Sequence, residues 1–424
     1  MSMSDLAEPD IKARPVFPIS DTKFRTLGMI KVAQKAVSAH GQVVTLAFEG
    51  DRKSTLLVAP RHTAFWRKNG HLFHKDIVNP QTGVSAARDV LGKNLLTAGD
   101  TDEWAMMRKD TLRVINTSKP WFDRSLRSAT KELIEGLRTQ QQTPVLDHCV
   151  AWSVRMTSDA LLGTDTLDQD AEDLVQSLNR AFLDMGTPNA DAASQEAKAR
   201  AADLLNQARA KHGPDSIAAL AHGTDQFDSH VIGLLAASLH INALVLFWAL
   251  IQLADNPDVQ GRLHDEANPL GDVTRRLSNA PYAYATLQET QRLRPAMAFI
   301  ERQVRERFTL DGYTFEAGET VLFSPWFAQR DEAAWPDALA FDPSRFQTPA
   351  DIIDGSFFPF GTGPRMCPGS PIVNQQVAYA ISMTAKALTL QPNPETRPGD
   401  LAPLFQINLE PRGPVYLLAT PNPV

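Results

Sequence analysis

The sequence is poor in cysteine: of its 424 residues only Cys149 and Cys367 are cysteines, and no C-x-x-C occurs. This argues against a disulfide framework, a thiolate zinc site and an iron–sulfur cluster. An excess of positive charge is also missing. With 42 Lys+Arg against 49 Asp+Glu the net charge is −7, and a general nucleic-acid surface would need clustered cations instead. Met1–Ser20 has no apolar run behind a basic start. Neither a secretory leader nor a membrane anchor is therefore visible, and a reducing, cytoplasmic setting is expected. Phosphate-loop, nucleophile-elbow and H-E-x-x-H signatures are absent as well.

What is present is an ordinary globular balance, 43% hydrophobic and 21% charged, enough for a large core. Apolar residues recur at three- and four-residue intervals over Trp104–Ile115, Ser125–Arg138, Val145–Leu162, Ala171–Met185, Ala192–Lys211, Ser229–Leu253, Ala283–Leu293 and Ile372–Leu390, which predicts helices. Strand signals are confined to Val43–Phe48, Thr55–Val58, Phe308–Phe323 around Asp311-Gly312, and Phe405–Leu418. The expected fold is mainly α with a minor β region. Strand segments from the two ends are too few to form separate sheets. They are expected to pair with each other, which favours one domain over residues 1–424.

Val231–Ile251 is the longest apolar stretch, with Ser238, His240 and Asn242 as its only polar side chains. Its length suits a bilayer. Its mid-chain position, the aspartates Asp225 and Asp228 ahead of it and the three polar groups favour a helix buried within a large domain.

Cys367 lies in FFPFGTGPRMCPGS, a Gly/Pro-rich segment followed by a helix. Gly361, Gly363 and Gly369 allow turns that aim backbone N–H groups at the sulfur, and the helix N-terminus adds positive potential. Both would stabilise a thiolate, although a buried, inert thiol is the commoner fate of a lone cysteine. Phe360, Gly363, Arg365, Cys367 and Gly369 together match F-x-x-G-x-R-x-C-x-G. In this the chain resembles the haem-binding loop of the cytochrome P450 family.

The resemblance extends to other segments in the same order. Glu289-Thr290-Gln291-Arg292 is similar to the family's E-x-x-R helix, and Arg345 of FDPSRF would complete a triad with Glu289 and Arg292. Alone, E-x-x-R carries nothing, since Glu135–Arg138 has the same pattern and reads as a solvated pair. Trp104 and Arg108 resemble the family's W-x-x-x-R, which supplies a cation to a haem propionate, and Arg302 stands where a second such arginine belongs. Plain surface charge is the competing reading for Arg108 and Arg302. The resemblance implies the cytochrome P450 fold and haem b held through Cys367, in a soluble, bacterial-like member.

In the family's usual pattern the long helix carries A-G-x-[DE]-T, whose acid and alcohol help deliver protons. Here Ala237, Ser238, Leu239, His240 and Ile241 fall on those positions, with Asn242 next. Ile241 carries no hydroxyl, so the ordinary relay is missing. Three readings stay open. One is a monooxygenase using O2 and external electrons that moves protons through His240, Ser238, Asn242, water or the substrate. Another consumes a peroxide or rearranges an oxygenated substrate, and a third is a catalytically silent haem protein. His240 could equally be satisfied inside a helix pair.

By resemblance, the pocket would use Leu234, Ala237, Ile241, residues 296–300 with Met297, Ala298 and Phe299, and part of Val78–Leu96. Met297 and Phe299 could instead be ordinary core. A mainly apolar lining implies a hydrophobic or amphipathic small molecule. Electrons would come from separate proteins, a ferredoxin and its reductase, docking near Lys109, Arg113 and Arg365. His71 and His74 read as a loop pair and not as metal ligands.

Overall fold

The structure, a computed structural model, describes residues 12–50, 52–75, 95, 98–162, 169–170, 173–174, 176–177, 180, 190–212, 225–269, 280–348, 351–405 and 408–423. It divides into two compact units, each assembled from three chain segments. One comprises Met1–Asp76, Met297–Ala338 and Ile353–Met366, the other Ile77–Ala296, Leu339–Ile352 and Cys367–Val424.

The first unit is built on a six-stranded sheet. Its strands are β1 (Val16–Ile19), β2 (Val43–Phe48), β3 (Lys53–Leu57), β4 (Phe73–His74), β5 (Ile300–Val304) and β8 (Thr320–Phe323), in the order β1-β2-β3-β8-β5-β4. The β3–β8 pairing, with Leu56 opposite Leu322, joins the start of the chain to a segment beyond residue 300. β6 (Phe308–Leu310) and β7 (Tyr313–Phe315) form a separate hairpin. Asp311 and Gly312 close it at φ 54° and 80°, the doubly positive pair that a tight hairpin turn demands. Helices α1 (Asp21–His40) and α2 (Pro60–Lys68) complete the unit. Trp66 stacks on Phe323 at 4.5 Å and Phe308 on Phe315 at 4.8 Å, in a core rich in aromatic rings.

Strands β1 and β5 had no signal in the sequence. β1 contains Pro18, which an edge strand tolerates, and β5 reads IERQV, whose charged residues conceal its place inside the sheet.

The second unit is helical: α3 (Asp102–Thr139), α4 (Val145–Leu162), α5 (Ala190–His212), α6 (Asp225–Asp255), α7 (Pro257–Ala267), α8 (Pro281–Leu293) and α9 (Ser370–Ala387). α3 is one helix of 38 residues where the spacing predicts two. The backbone runs helically across Pro120, whose missing N–H removes only one rung of the ladder. Thr101 caps its start by accepting from the Trp104 N–H. The helix expected over Ala171–Met185 lies largely outside the described residues.

Two short antiparallel pairs finish the unit: β9 (Leu388–Pro392) with β12 (Leu417–Pro421), and β10 (Pro403–Phe405) with β11 (Leu409–Pro411). The C-terminal strands thus pair among themselves. Only the N-terminal ones find partners from the later segment, around residues 300–323.

α6 organises this unit. It is the one helix among the described residues long and apolar enough to cross a membrane, yet its second half is packed into the core. From Ala243 to Ala254 the apolar side chains are all buried, against Trp152, Met156, Leu287 and Ile381 among others. Each Leu or Phe buried there contributes about 1.5–3 kcal/mol of transfer free energy. The helix stops at Asp255, and Pro257 opens α7, where a missing N–H costs nothing.

Candidate functional site

Cys367 immediately precedes α9. Its Sγ accepts hydrogen bonds from the backbone N–H groups of Gly369 and Ser370, at the helix N-terminus. Gly361 and Gly363 turn the preceding loop at φ 74° and 72°, a region closed to most side chains. Burial pushes the Cys367 thiol up from its ordinary value. The two amides and the nearby charge of Arg108 oppose that shift without overcoming it. The expected stabilisation of a thiolate is therefore present in its parts, but desolvation outweighs it. Direct coordination of a cation would reverse the balance.

Arg108 sits one turn after Trp104 on α3, its guanidinium 5.8 Å from the indole centroid. Both side chains are half-buried. Their i, i+4 spacing places them on one face of the helix.

Packed against α9, α8 supplies a buried charge cluster. Arg292 donates from Nε to Glu289 Oε2 at 2.6 Å and from Nη2 to Oε1 at 2.7 Å, and both residues are fully buried. Arg345 Nε lies 3.5 Å from Glu289 Oε1. The Asp342 N–H donates to the same oxygen at 2.9 Å, and Arg292 also donates to the Ala340 carbonyl at 3.0 Å. A buried charge set survives only when its hydrogen-bonding capacity is met, and this one draws partners from two segments. Gln291 extends the brace: its Nε2 donates to Asn374 Oδ1 on α9 at 3.0 Å, and Asn374 Nδ2 donates to the Tyr284 hydroxyl at 3.2 Å. Neither Gln291 nor Asn374 was legible as a site residue, because neither carries a charge or a motif.

On α6 the buried pattern is interrupted in one place. Leu234, Ala236, Ala237, Ser238, His240 and Ile241 are partly accessible, while Leu235, Leu239, Asn242 and Ala243 are buried. Among the accessible residues Leu234, Ala237 and Ile241, spaced i, i+3, i+7, form an apolar stripe. The Ser238 hydroxyl donates to the Leu234 carbonyl at 2.6 Å and so is engaged within its own helix. His240 lies 3.2 Å from Glu410 Oε1 through Nε2. Glu410 belongs to β11, 170 positions away in sequence.

The remaining expected site residues belong to the first unit. Arg302 on β5 holds its guanidinium 4.8 Å over the Trp66 ring and donates to the Glu301 carbonyl. Arg365 ends a single turn with Gly363 and is half-buried, as is Phe360. Met297 is half-buried, whereas Ala298 and Phe299 are buried, with Phe299 6.4 Å from the Phe327 ring. The part of Val78–Leu96 assigned to the pocket lies outside the described residues, Leu95 excepted. Among the described residues no group of three His, Cys, Asp or Glu side chains could hold a metal ion.

A family model for cytochrome P450 matches residues 169–418. (S)-N-methylcoclaurine 3'-hydroxylase isozyme 1 of Eschscholzia californica is 32% identical over 165 residues, 37% of this chain and 34% of that protein. Rhazimal synthase of Alstonia scholaris is 38% identical over 145 residues, 32% of this chain and 29% of that protein. Geraniol 8-hydroxylase of Catharanthus roseus is 34% identical over 158 residues, 34% of this chain and 31% of that protein. The matched segment thus spans about a third of the length of each relative. These relatives are plant proteins, and the expectation of a bacterial-like member finds no support among them.

Proposed function

The chain belongs to the cytochrome P450 family, and from that premise we propose that it is a haem-thiolate monooxygenase acting on a small hydrophobic or amphipathic organic substrate. The family's cofactor is iron protoporphyrin IX, haem b. The residues present fit it. Cys367 offers one sulfur donor, held by two backbone amides at the start of α9. The half-open stripe Leu234, Ala237 and Ile241 supplies apolar surface of the kind a flat ring system covers. When bound, the haem supplies oxygen activation, with thiolate donation favouring O–O cleavage.

The chain's own side chains divide the remaining work. Cys367 supplies the thiolate, steadied by the Gly369 and Ser370 amides. Arg108, Arg302 and Arg365 provide cations for the carboxylates of the cofactor, because unpaired buried carboxylates are costly. The Glu289–Arg292–Arg345 cluster holds α8, which is tied to α9 through Gln291. The apolar stripe of α6 excludes water from the substrate side. Electrons come from a separate ferredoxin and its reductase in the cytoplasm.

The observation that carries this reading is the twofold amide donation to Cys367 at the start of α9. Its test is the spectrum of the reduced protein under carbon monoxide. A thiolate-type Soret band is expected, and Cys367→Ser should abolish both the band and turnover. Retention of the band in that variant overturns the assignment. Turnover with ferredoxin, reductase and O2 is expected for substrates that shift the haem spin state. Turnover on hydroperoxide alone would replace the electron-driven reading with a peroxide-consuming one.

A further inference from the structure

His240 stands where the family carries an acid, and it is bonded to a carboxylate that no motif marks. Its Nε2 lies 3.2 Å from Glu410 Oε1, while its Nδ1 is buried with no hydrogen-bond partner among the described residues. The imidazole is 13% exposed and Glu410 30%, so the pair is shielded on the histidine side and open toward solvent on the glutamate side. A carboxylate only accepts, so Nε2 must carry the hydrogen. In the neutral ring Nδ1 then bears the lone pair. A ring protonated at both nitrogens would leave a buried N–H donor with no acceptor among the described residues.

Glu410 is held in place independently of His240. Its neighbour Leu409 donates its N–H to the Ala296 carbonyl at 2.9 Å and accepts from Trp248 Nε1 at 2.8 Å, which pins β11 against α6 and the segment that follows α8. The carboxylate is thus presented by a strand fixed on both sides. The two side chains nearest the missing alcohol cannot substitute for the imidazole. The Ser238 hydroxyl is committed to the Leu234 carbonyl, and Ile241 has no polar atom.

We propose that Glu410 and His240 form a carboxylate–imidazole couple, in which Glu410 is a positioning residue that fixes the Nε2–H tautomer and makes the buried Nδ1 the proton-carrying atom of α6. This rests on the monooxygenase reading. Nδ1 takes a proton from a hydronium ion, one O–H bond breaking to leave neutral water as the N–H bond forms. The cationic ring is paired with the ionised Glu410, and Nδ1 then releases the same proton to the acceptor in the site. Nε2–H stays intact throughout and no electrons move. The lost alcohol at position 241 is thereby replaced by a nitrogen held from the C-terminal hairpin.

The test is nitrogen NMR of the haem-loaded protein labelled at histidine, together with product formed per electron pair consumed. In the wild type, His240 should show a protonated Nε2 and an unprotonated Nδ1 at neutral pH. Glu410→Gln should release the tautomer, and Glu410→Asp should restore it in part. Glu410→Gln should also lower coupling several-fold, with peroxide released in place of product, and His240→Ala should add no further loss to it. A protonated Nδ1 in the wild type, or an unchanged tautomer in Glu410→Gln, overturns the couple. Additive losses in the double variant also overturn it. The carbon monoxide spectrum is read in every variant. Its failure in the wild type would count against haem-thiolate function, whereas an intact spectrum with an unchanged tautomer counts only against the couple.

Discussion

Two Glu-x-x-Arg pairs in this chain have nearly the same local geometry and opposite surroundings. In α3, Arg138 donates to Glu135 at 3.0 and 2.6 Å; in α8, Arg292 donates to Glu289 at 2.6 and 2.7 Å. The first pair is exposed, 46% and 59%, and the second is wholly buried. Helix geometry alone brings side chains three apart into contact, so the contact says nothing of importance. What separates the pairs is company. Glu289 is also met by Arg345 and the Asp342 N–H, and Arg292 by the Ala340 carbonyl, all from outside the helix.

The largest effect should follow from breaking the buried pair. Glu289→Gln keeps the volume but leaves Arg292 and Arg345 facing a neutral amide. Removing one partner of a buried ion pair costs about 3–5 kcal/mol, because the other charge cannot return to water. The urea midpoint should fall accordingly, and purified protein should carry little haem. A loss below ~1 kcal/mol with full haem content would mean that the cluster is no more than an ornament of α8.

An intermediate effect is expected one residue before Arg292. Gln291→Leu removes the bond to Asn374 and leaves a buried amide oxygen without its donor, at about 1–3 kcal/mol. The charge cluster itself is untouched. The thermal midpoint should fall while haem content and the carbon monoxide spectrum persist. Loss of haem as severe as in Glu289→Gln would show that α8 holds the cysteine helix through Gln291 more than through its charges.

These comparisons mark what could be read in the sequence. The cysteine loop was legible because five particular residues at set spacing, three of them glycine or cysteine, leave few alternatives. The core helix α6 was legible from its length and apolarity, and the turn at Asp311-Gly312 from the residue types that accept positive φ. Burial of Glu289 against exposure of Glu135 was not legible, because a local pattern carries no record of the segments that fold over it. The His240–Glu410 contact and the Gln291–Asn374 bond join residues far apart in the chain. Strand β5 was hidden because half-buried charged residues at a sheet interior resemble a loop. Helix α3 reads as two segments in the sequence because the three- and four-residue apolar spacing lapses between Ile115 and Ser125.

The smallest effect should come from the exposed pair, and it sharpens the contrast most. The Arg138 hydrogen bond, and secondarily its charge, hold the Glu135 carboxyl below its ordinary value. A carboxylate depressed in the folded state contributes stability above its unfolded pKa and loses it as pH falls through the folded one. The contribution is therefore present at neutral pH and disappears only on the acid side of the usual carboxylate range. Both side chains lie in water, where salt screens the attraction and ordering two long chains offsets it. Glu135→Gln should consequently leave the melting temperature, haem content and carbon monoxide spectrum of the wild type unchanged at neutral pH. A melting shift beyond experimental error, or any loss of haem, would show that the same three-residue spacing works at the surface as it does in the core.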